Sequence, residues 1–414
     1  MVQSRIKRDL GSPSARAAAV FCASIVCMAG AASAQQPAAD TRAARVAAEQ
    51  QEKAKQMKPY EPNKAEVWVA KLEEQFITGS LHWHPFFTSA YAGGGFTLGA
   101  GYATHVSSYS WIDVRGSYTI SGYKRIESEF VAPRLFGRRG RLSVIGGWRE
   151  ATSVGFYGIG TDNTSKDDRA NYSFKQPYGS AMLDVRPRRK ALVFGGGVEY
   201  SQWDQGPGDG SAPSVDEVYT PATLPGLDAT VTYLHTQGTA ALDWRTSAGY
   251  SRRGGYYGAT VHDYADRDDV YSFRQVDYDV IQHLPIFRDM FVLSLHGRVE
   301  TTYSNDDETI PFFMLPALGG GSSLRGFASW RFRDLNSLLL QAEWRVLVNS
   351  FFDMALFYDA GKVTARREDL TFDDLKSDFG IGFRLHGPAA TPLRIELAKS
   401  NEGLVIVFSS KASF

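Results

Sequence analysis

From about Ile77 to Phe414 the chain is a succession of short runs in which apolar and polar residues alternate, each ending at Gly, Pro, Asn, Asp or Ser. A period of two belongs to a β-strand whose faces meet different surroundings. The last five runs show it most clearly. Leu338, Leu340, Ala342, Trp344 and Val346 share one parity, opposite Gln341, Glu343 and Arg345. Met354, Leu356 and Tyr358 oppose Asp353, Asp359 and Gly361; Phe379, Ile381, Phe383 and Leu385 oppose Gly380, Gly382 and Arg384; Leu393, Ile395 and Leu397 oppose Arg394 and Glu396. The final run sets Leu404, Ile406, Phe408 and Phe414 against Ser409, Lys411 and Ser413. An Arg or Lys facing lipid at the membrane midplane costs roughly 2–4 kcal/mol, so charge confined to one parity predicts strands between lipid and a wet lumen. A soluble sandwich would also alternate and is the competing fold.

The connections set the direction of each crossing. Phe136 to Gly140, Val185 to Lys190, Leu284 to Asp289, Asn349 to Ser350 and Gly387 to Thr391 are short; Gly155 to Ala170, Asp204 to Leu227, Ser304 to Asp334 and Thr364 to Lys376 are long. Transmembrane barrels keep short turns on the periplasmic side and long loops outside. The two sets alternate if each intervening segment is one crossing, and an even strand number then returns the C-terminus to the short-turn side. The expected fold is all-β: a transmembrane antiparallel β-barrel of about 16 strands over residues 78–414, preceded by a short helical or disordered segment.

Residues ahead of the barrel differ in kind. Arg5, Lys7, Arg8 and Arg16 precede an apolar run from Ala17 to about Ala32 and the small-residue site Ala32-Ser33-Ala34, the pattern of a cleaved secretory leader over residues 1–34. Residues 35–77 read as a periplasmic linker rich in Ala, Gln, Glu, Lys and Arg, with a short helix from Lys64 to Phe76. Both cysteines, Cys22 and Cys27, fall in the leader, so the exported chain is expected to hold no disulfide and no cysteine metal site. The whole chain is neutral and its leader carries four basic residues and one acid, which leaves the rest at about −3 and argues against a nucleic-acid partner. No other apolar run approaches the ~18 residues of a membrane helix.

The chemistry concentrates in one loop and the wall behind it. Gly319-Gly320-Gly321-Ser322-Ser323-Leu324-Arg325-Gly326-Phe327, then Glu343 in an alternating run, then Phe357-Tyr358-Asp359-Ala360-Gly361-Lys362-Val363, closely resemble the BamA/TamA superfamily of outer-membrane assembly and translocation barrels, the bacterial surface antigen family. The match is strongest over about the last 125 residues; Gly93 to Gly101 and Phe156 to Gly160 resemble the family's earlier strands more loosely. The resemblance implies a sixteen-stranded barrel whose long external loop folds into the lumen, with Arg325, Gly326 and Phe327 pinned to wall carboxylates at Glu343 and Asp359. Alternation alone places both acids on the lumen parity. Phe408 and Phe414 resemble the C-terminal targeting signal of such barrels. The chain departs from the family's assembly and secretion members in leaving no room for a periplasmic POTRA module, so it reads as a barrel-only member.

Other signals carry less. Gly93-Gly94-Gly95 with Gly99 and Gly101 lacks dinucleotide-binding spacing, and His82 with His84 lacks a third ligand, so no cofactor and no metal are expected. Asp162, Asp167, Asp168, Asp306 and Asp307 fit solvated loops better than ion sites near lipopolysaccharide. No catalytic constellation stands out, and the expectation is a non-enzymatic barrel that assists insertion or translocation of a polypeptide or lipid by opening between its first and last strands. Pro85 makes Leu81 to Tyr91 a poor first strand, as a loose seam requires. A passive or plugged pore, or a structural scaffold, is the alternative. Partners on this reading are outer-membrane lipid and lipopolysaccharide, client outer-membrane proteins, or a periplasmic protein recruited by the N-terminal segment.

Overall fold

The computed structural model describes residues 82–414 apart from 163–164, 188–190 and 288–289, together with residues 45, 46, 48, 49 and 52. The chain divides into two compact units, 1–70 and 71–414. In the first, Arg45, Val46, Ala48, Glu49 and Glu52 are helical and exposed. The expected leader, the Lys64 to Phe76 helix and the boundary at residues 77 and 78 lie outside the described residues.

The second unit is built on strands. They run β1 (Trp83–Pro85), β2 (Thr97–His105), β3 (Trp111–Thr119), β4 (Lys124–Arg134), β5 (Gly140–Phe156), β6 (Ala170–Val185), β7 (Leu192–Pro207), β8 (Thr230–Asp243) and β9 (Gly254–Asp266). They continue with β10 (Phe273–Phe287), β11 (Phe291–Tyr303), β12 (Ala317–Leu318), β13 (Phe332–Arg333), β14 (Asn336–Leu347), β15 (Phe352–Thr364), β16 (Lys376–Leu385), β17 (Leu393–Ser400) and β18 (Gly403–Ser409). Sixteen of them form one sheet in strict sequence order, while β12 and β13 make a separate ribbon inside the segment joining β11 to β14. All neighbours in the sheet are antiparallel, as hairpin connections require.

The sheet curls so that elements far apart in strand order meet inside it. Thr161, in the β5–β6 loop, donates its hydroxyl to the carbonyl of Val363 at 2.7 Å. Tyr250, in the β8–β9 turn, reaches Asp353 of β15 at 3.0 Å. This is a transmembrane antiparallel barrel. Period-two alternation decides which side of the wall each residue takes: Leu356, Tyr358, Phe379, Leu404, Ile406 and Phe408 stand exposed on the outer face, whereas Asp359, Arg384, Arg394 and Glu396 are buried inside. No helix among the described residues is long and apolar enough to cross a membrane.

The two ends differ. At the long-loop end, Phe156, Tyr172, Phe174, Trp203 and Tyr233 from strand ends pack with Ile310, Phe312 and Phe313 of the β11–β14 segment and Leu224 and Leu227 of the β7–β8 loop, an apolar cluster across the interior. At the short-turn end, the β8–β9 turn, residues 244–253, folds inward. Ser247 donates to the carbonyl of Ala389 at 2.8 Å, and Tyr250 stacks on His386 with ring centroids 3.8 Å apart.

The seam is the weakest part of the wall. β1 has three residues among those described and pairs with Tyr102, Gly101 and Ala100 of β2, with backbone hydrogen bonds from Ala103 to His82 at 2.6 Å and from Phe86 to Gly99 at 2.9 Å at its two ends. Beyond Phe86 the chain leaves the sheet and passes along the inner wall, where Ser117 donates to the carbonyl of Thr88 at 2.7 Å and Arg125 to that of Ser89 at 3.2 Å. His84 lies against Gly101, where a Cβ would fall 2.4 Å from its ring. No strand pairing joins β1 to β18 among the described residues.

Because Leu356 is 59% exposed on the lipid face, mid-strand in β15, Leu356→Arg should cost roughly 2–4 kcal/mol of folding stability in vesicles. Urea titration read by tryptophan fluorescence measures this, and a cost near zero would contradict the face assignment.

Candidate functional site

The β11–β14 connection turns back into the barrel because its own residues favour a tight, apolar-backed hairpin. Gly319 and Gly320 have φ of 115° and 95°, which L side chains rarely adopt. The Gly319 N–H donates to Ser323 Oγ at 2.8 Å, and the Gly320 N–H to the carbonyls of Leu324 and Phe327 at 3.0 and 3.2 Å. Leu318, Leu324, Phe327 and Phe332 then bury against Leu339 of β14 and Val363 of β15. Phe327 meets Phe332 edge-on, with centroids 5.2 Å apart. This small core holds the loop at the wall before any charge is considered.

Arg325 projects from the loop into a pocket of carboxylates, fully buried. Its Nε and Nη2 donate to the two oxygens of Asp359, each at 2.7 Å, a bidentate fork that a lysine has no geometry to make. Its Nη1 donates to Glu343 at 2.6 Å and to Glu396 at 2.9 Å. The guanidinium plane lies over the Phe357 ring, 3.6 Å from the centroid. Gln341 ties the loop to the same site, donating to Asp359 at 3.1 Å and to the Ser323 carbonyl at 2.8 Å.

Two wall arginines complete the balance. Arg384 donates to Glu343 at 2.7 Å, and Arg394 approaches Glu396 at 3.4 Å while donating to the loop carbonyl of Gly321 at 2.8 Å. Three guanidinium groups thus face Glu343, Asp359 and Glu396. The structure brings Arg325, Glu343 and Asp359 together and adds Glu396 of β17. In the sequence Glu396 carries lumen parity but lies in no motif that singles it out. Four strands, β14 to β17, therefore contribute to one network.

Gly326 lies at a close approach of the loop to the wall. Its φ is not positive; instead a Cβ there would fall 2.6 Å from Asp378 Cβ and 3.1 Å from Ser400 Cβ, and its carbonyl accepts from Ser400 Oγ at 2.7 Å. Close approach to the wall, not chain reversal, demands glycine.

The terminal aromatics separate. Phe408 is exposed on the outer face of β18, but the strand ends at Ser409, and Phe414 lies inside rather than on the lipid parity. Its ring stacks over His296 with centroids 5.0 Å apart, and over His283 at 6.2 Å. Extrapolating the alternation past Ser409 fails because residues 410–414 are no longer paired to a neighbouring strand, so the period of two no longer fixes their faces. His82 and His84 act as tethers for the seam: the first meets the Ala103 carbonyl at 3.0 Å, the second Asp113 at 2.8 Å. In the long loops, Asp162 pairs with Lys376 at 2.8 Å, and Asp168 accepts from the backbone N–H of Ser165 at 3.0 Å.

Residues 110–403 match the Omp85 superfamily domain. The chain belongs to the Omp85 superfamily. Among solved structures it is similar to BamA from Haemophilus ducreyi lacking POTRA domains 1–3, with TM-score 0.57 and 14% identity over 79% of this chain and 67% of that one. It is also similar to CdiB from Escherichia coli, with TM-score 0.51 and 12% identity over 79% of this chain and 61% of that one. At such identities the likeness is one of fold. No curated protein matches the sequence. As an Omp85 barrel the chain is an outer-membrane protein, and its short-turn end is accordingly the periplasmic one.

Within this Omp85 barrel, removing one partner of a buried, hydrogen-bonded ion network costs about 3–5 kcal/mol, because uncompensated charge stays behind. Arg325→Ala should lower stability by about that amount, and Arg325→Lys should recover only part of it. Gly326→Ala should destabilise by steric conflict with Asp378 while leaving every charge in place. Denaturant midpoints of the folded band on unheated gels check all three; an Arg325→Lys protein as stable as wild type would show that the fork geometry is not used.

Proposed function

We propose that this barrel assists the insertion or translocation of another polypeptide, or of a lipid, at the outer membrane by opening between β1 and β18, and that it catalyses no covalent reaction. The observation that carries this is the seam. β1 pairs with β2 over three residues, β18 pairs with β17, and no pairing joins the two edges among the described residues. Unsatisfied N–H and C=O groups are costly in hydrocarbon, so such an edge is where an incoming strand gains most by adding to the sheet.

The lumen supports the same reading. The apolar cluster at the long-loop end and the loop held by Arg325 occupy the axial route, while the side of the barrel is only weakly joined. The loop also bears on the seam. Trp330 donates its indole N–H to the carbonyl of Ala92 at 3.0 Å and stacks on Tyr91 at 4.4 Å, so the segment that follows β1 rests on the same element that Arg325 anchors. Locking and release of that loop would thus be felt at the edge where a client enters. Clients of this chemistry are outer-membrane β-strands or lipids. A periplasmic partner bound through the N-terminal segment would deliver them.

A disulfide between a cysteine at Trp83 and one of a series placed from Leu404 to Phe408 should block assisted folding of a client barrel into proteoliposomes, with recovery on reduction. Full activity of the cross-linked protein would end the proposal. The passive-pore alternative makes a different forecast. Wild-type protein in a planar bilayer should conduct poorly and Arg325→Ala should conduct more; large steady wild-type channels would favour the pore.

A further inference from the structure

The two ends of the sheet carry opposite charge. The β7–β8 loop, residues 208–229, holds Asp209, Asp216, Glu217 and Asp228 and no basic residue. At the short-turn end, residues 134–141, 185–187 and 243–254 hold eight arginines and a single acid, Asp243. These segments belong to three successive turns on that side, β4–β5, β6–β7 and β8–β9.

The turns are joined to one another. The backbone N–H of Arg186 donates to the carbonyl of Arg139 at 2.7 Å, which sets the second turn against the first. Asp243 accepts from Arg186 at 3.0 Å and from Arg245 at 3.1 Å, which links the second to the third and engages the only acid of the group. No carboxylate pairs with Arg134, Arg138 or Arg139 among the described residues; Arg134 instead lies over the Tyr109 ring, 3.8 Å from its centroid.

The same turns present apolar groups outward. Phe136 is 65% exposed, and with Arg138 it flanks Gly137 at φ values of 49° and 71°, a region that costs non-glycine residues energy. Trp244 of the third turn is also exposed. Rings and arginines side by side, where the lipid-facing strands end, match the headgroup layer: the ring sits at the acyl boundary and the guanidinium reaches a phosphate oxygen. A water-soluble acidic protein would be recognised by the arginines but would gain nothing from rings placed at the membrane boundary.

We propose that these turns form a headgroup-binding rim selective for anionic phospholipid in the leaflet that the short turns face, with Arg134, Arg138 and Arg139 as its phosphate ligands. The rim does not depend on any client-handling activity. It fixes the depth of the β4–β9 side of the barrel, across from the seam in strand order.

The test uses full-length protein in detergent, titrated with phosphatidylglycerol or phosphatidylcholine of identical acyl chains and read by native mass spectrometry. Phosphatidylglycerol should be retained on the order of tenfold better, with the preference shrinking as salt rises. The triple variant Arg134→Gln, Arg138→Gln, Arg139→Gln should lose the preference while migrating as a folded barrel. Arg366→Gln with Arg367→Gln, at the opposite end, should retain it. Equal retention of both lipids, or an unchanged preference in the triple variant, overturns the proposal. So does tight binding of poly-glutamate to the protein in zwitterionic nanodiscs without any lipid preference, which would assign the rim to an acidic polypeptide.

Discussion

A guanidinium taken out of water must have its charge answered at close range, and in this barrel Arg325 meets that demand with carboxylates from three strands. The requirement runs in both directions. Glu343, Asp359 and Glu396 are themselves buried on the inner wall, so without Arg325 and the neighbouring Arg384 and Arg394 they would leave uncompensated charge inside. The loop and the wall therefore specify each other, and the last strands of the barrel are held in register by side chains as well as by the backbone ladder.

From that point the organisation spreads outward. The loop that delivers Arg325 also supplies Trp330 to the segment after β1 and Phe312 and Phe313 to the aromatic cluster at the long-loop end. One element thus touches the lumen lock, the obstruction of the axial route and the seam. The proposed lateral route rests on a contrast: one ion-pair network joins the inner loop to four strands of the wall, whereas β1 is short and no pairing joins it to β18 among the described residues. The charge asymmetry between the ends adds orientation, since a basic rim and acidic loops make the two membrane surfaces unlike partners.

Much of the architecture was legible in advance. Leu356 and Tyr358 against Asp359, or Leu397 against Glu396, report their faces because a strand in a two-sided wall has no freedom to place neighbours alike. Arg325, Glu343 and Asp359 were legible for a second reason: the glycine-rich loop and wall segments resemble a known family, and parity independently set the acids inside. Glu396 was equally visible by parity but had no motif to single it out, because its contact with Arg325 spans 71 positions and depends on how the wall curves. Gly326 stands out in the sequence through the motif that contains it, whereas the approach to Asp378 is a contact between separate elements.

Phe414 marks where the period of two ceases to fix a residue's face. Alternation assigns a face only while a strand remains paired, and beyond Ser409 the chain turns inward to His283 and His296. The sequence by itself determined the class of fold, the approximate number and the direction of the strands, and the faces of residues in the last five runs while they stay paired, because all of these follow from a local period of two and from loop length. Which acids surround Arg325, why residue 326 must lack a Cβ, how the segment after β1 comes to rest on Trp330 and where the last five residues go were decided only by the tertiary structure. Each depends on distances across the lumen, and those are set by the curvature of the closed-in sheet rather than by any run of neighbouring residues.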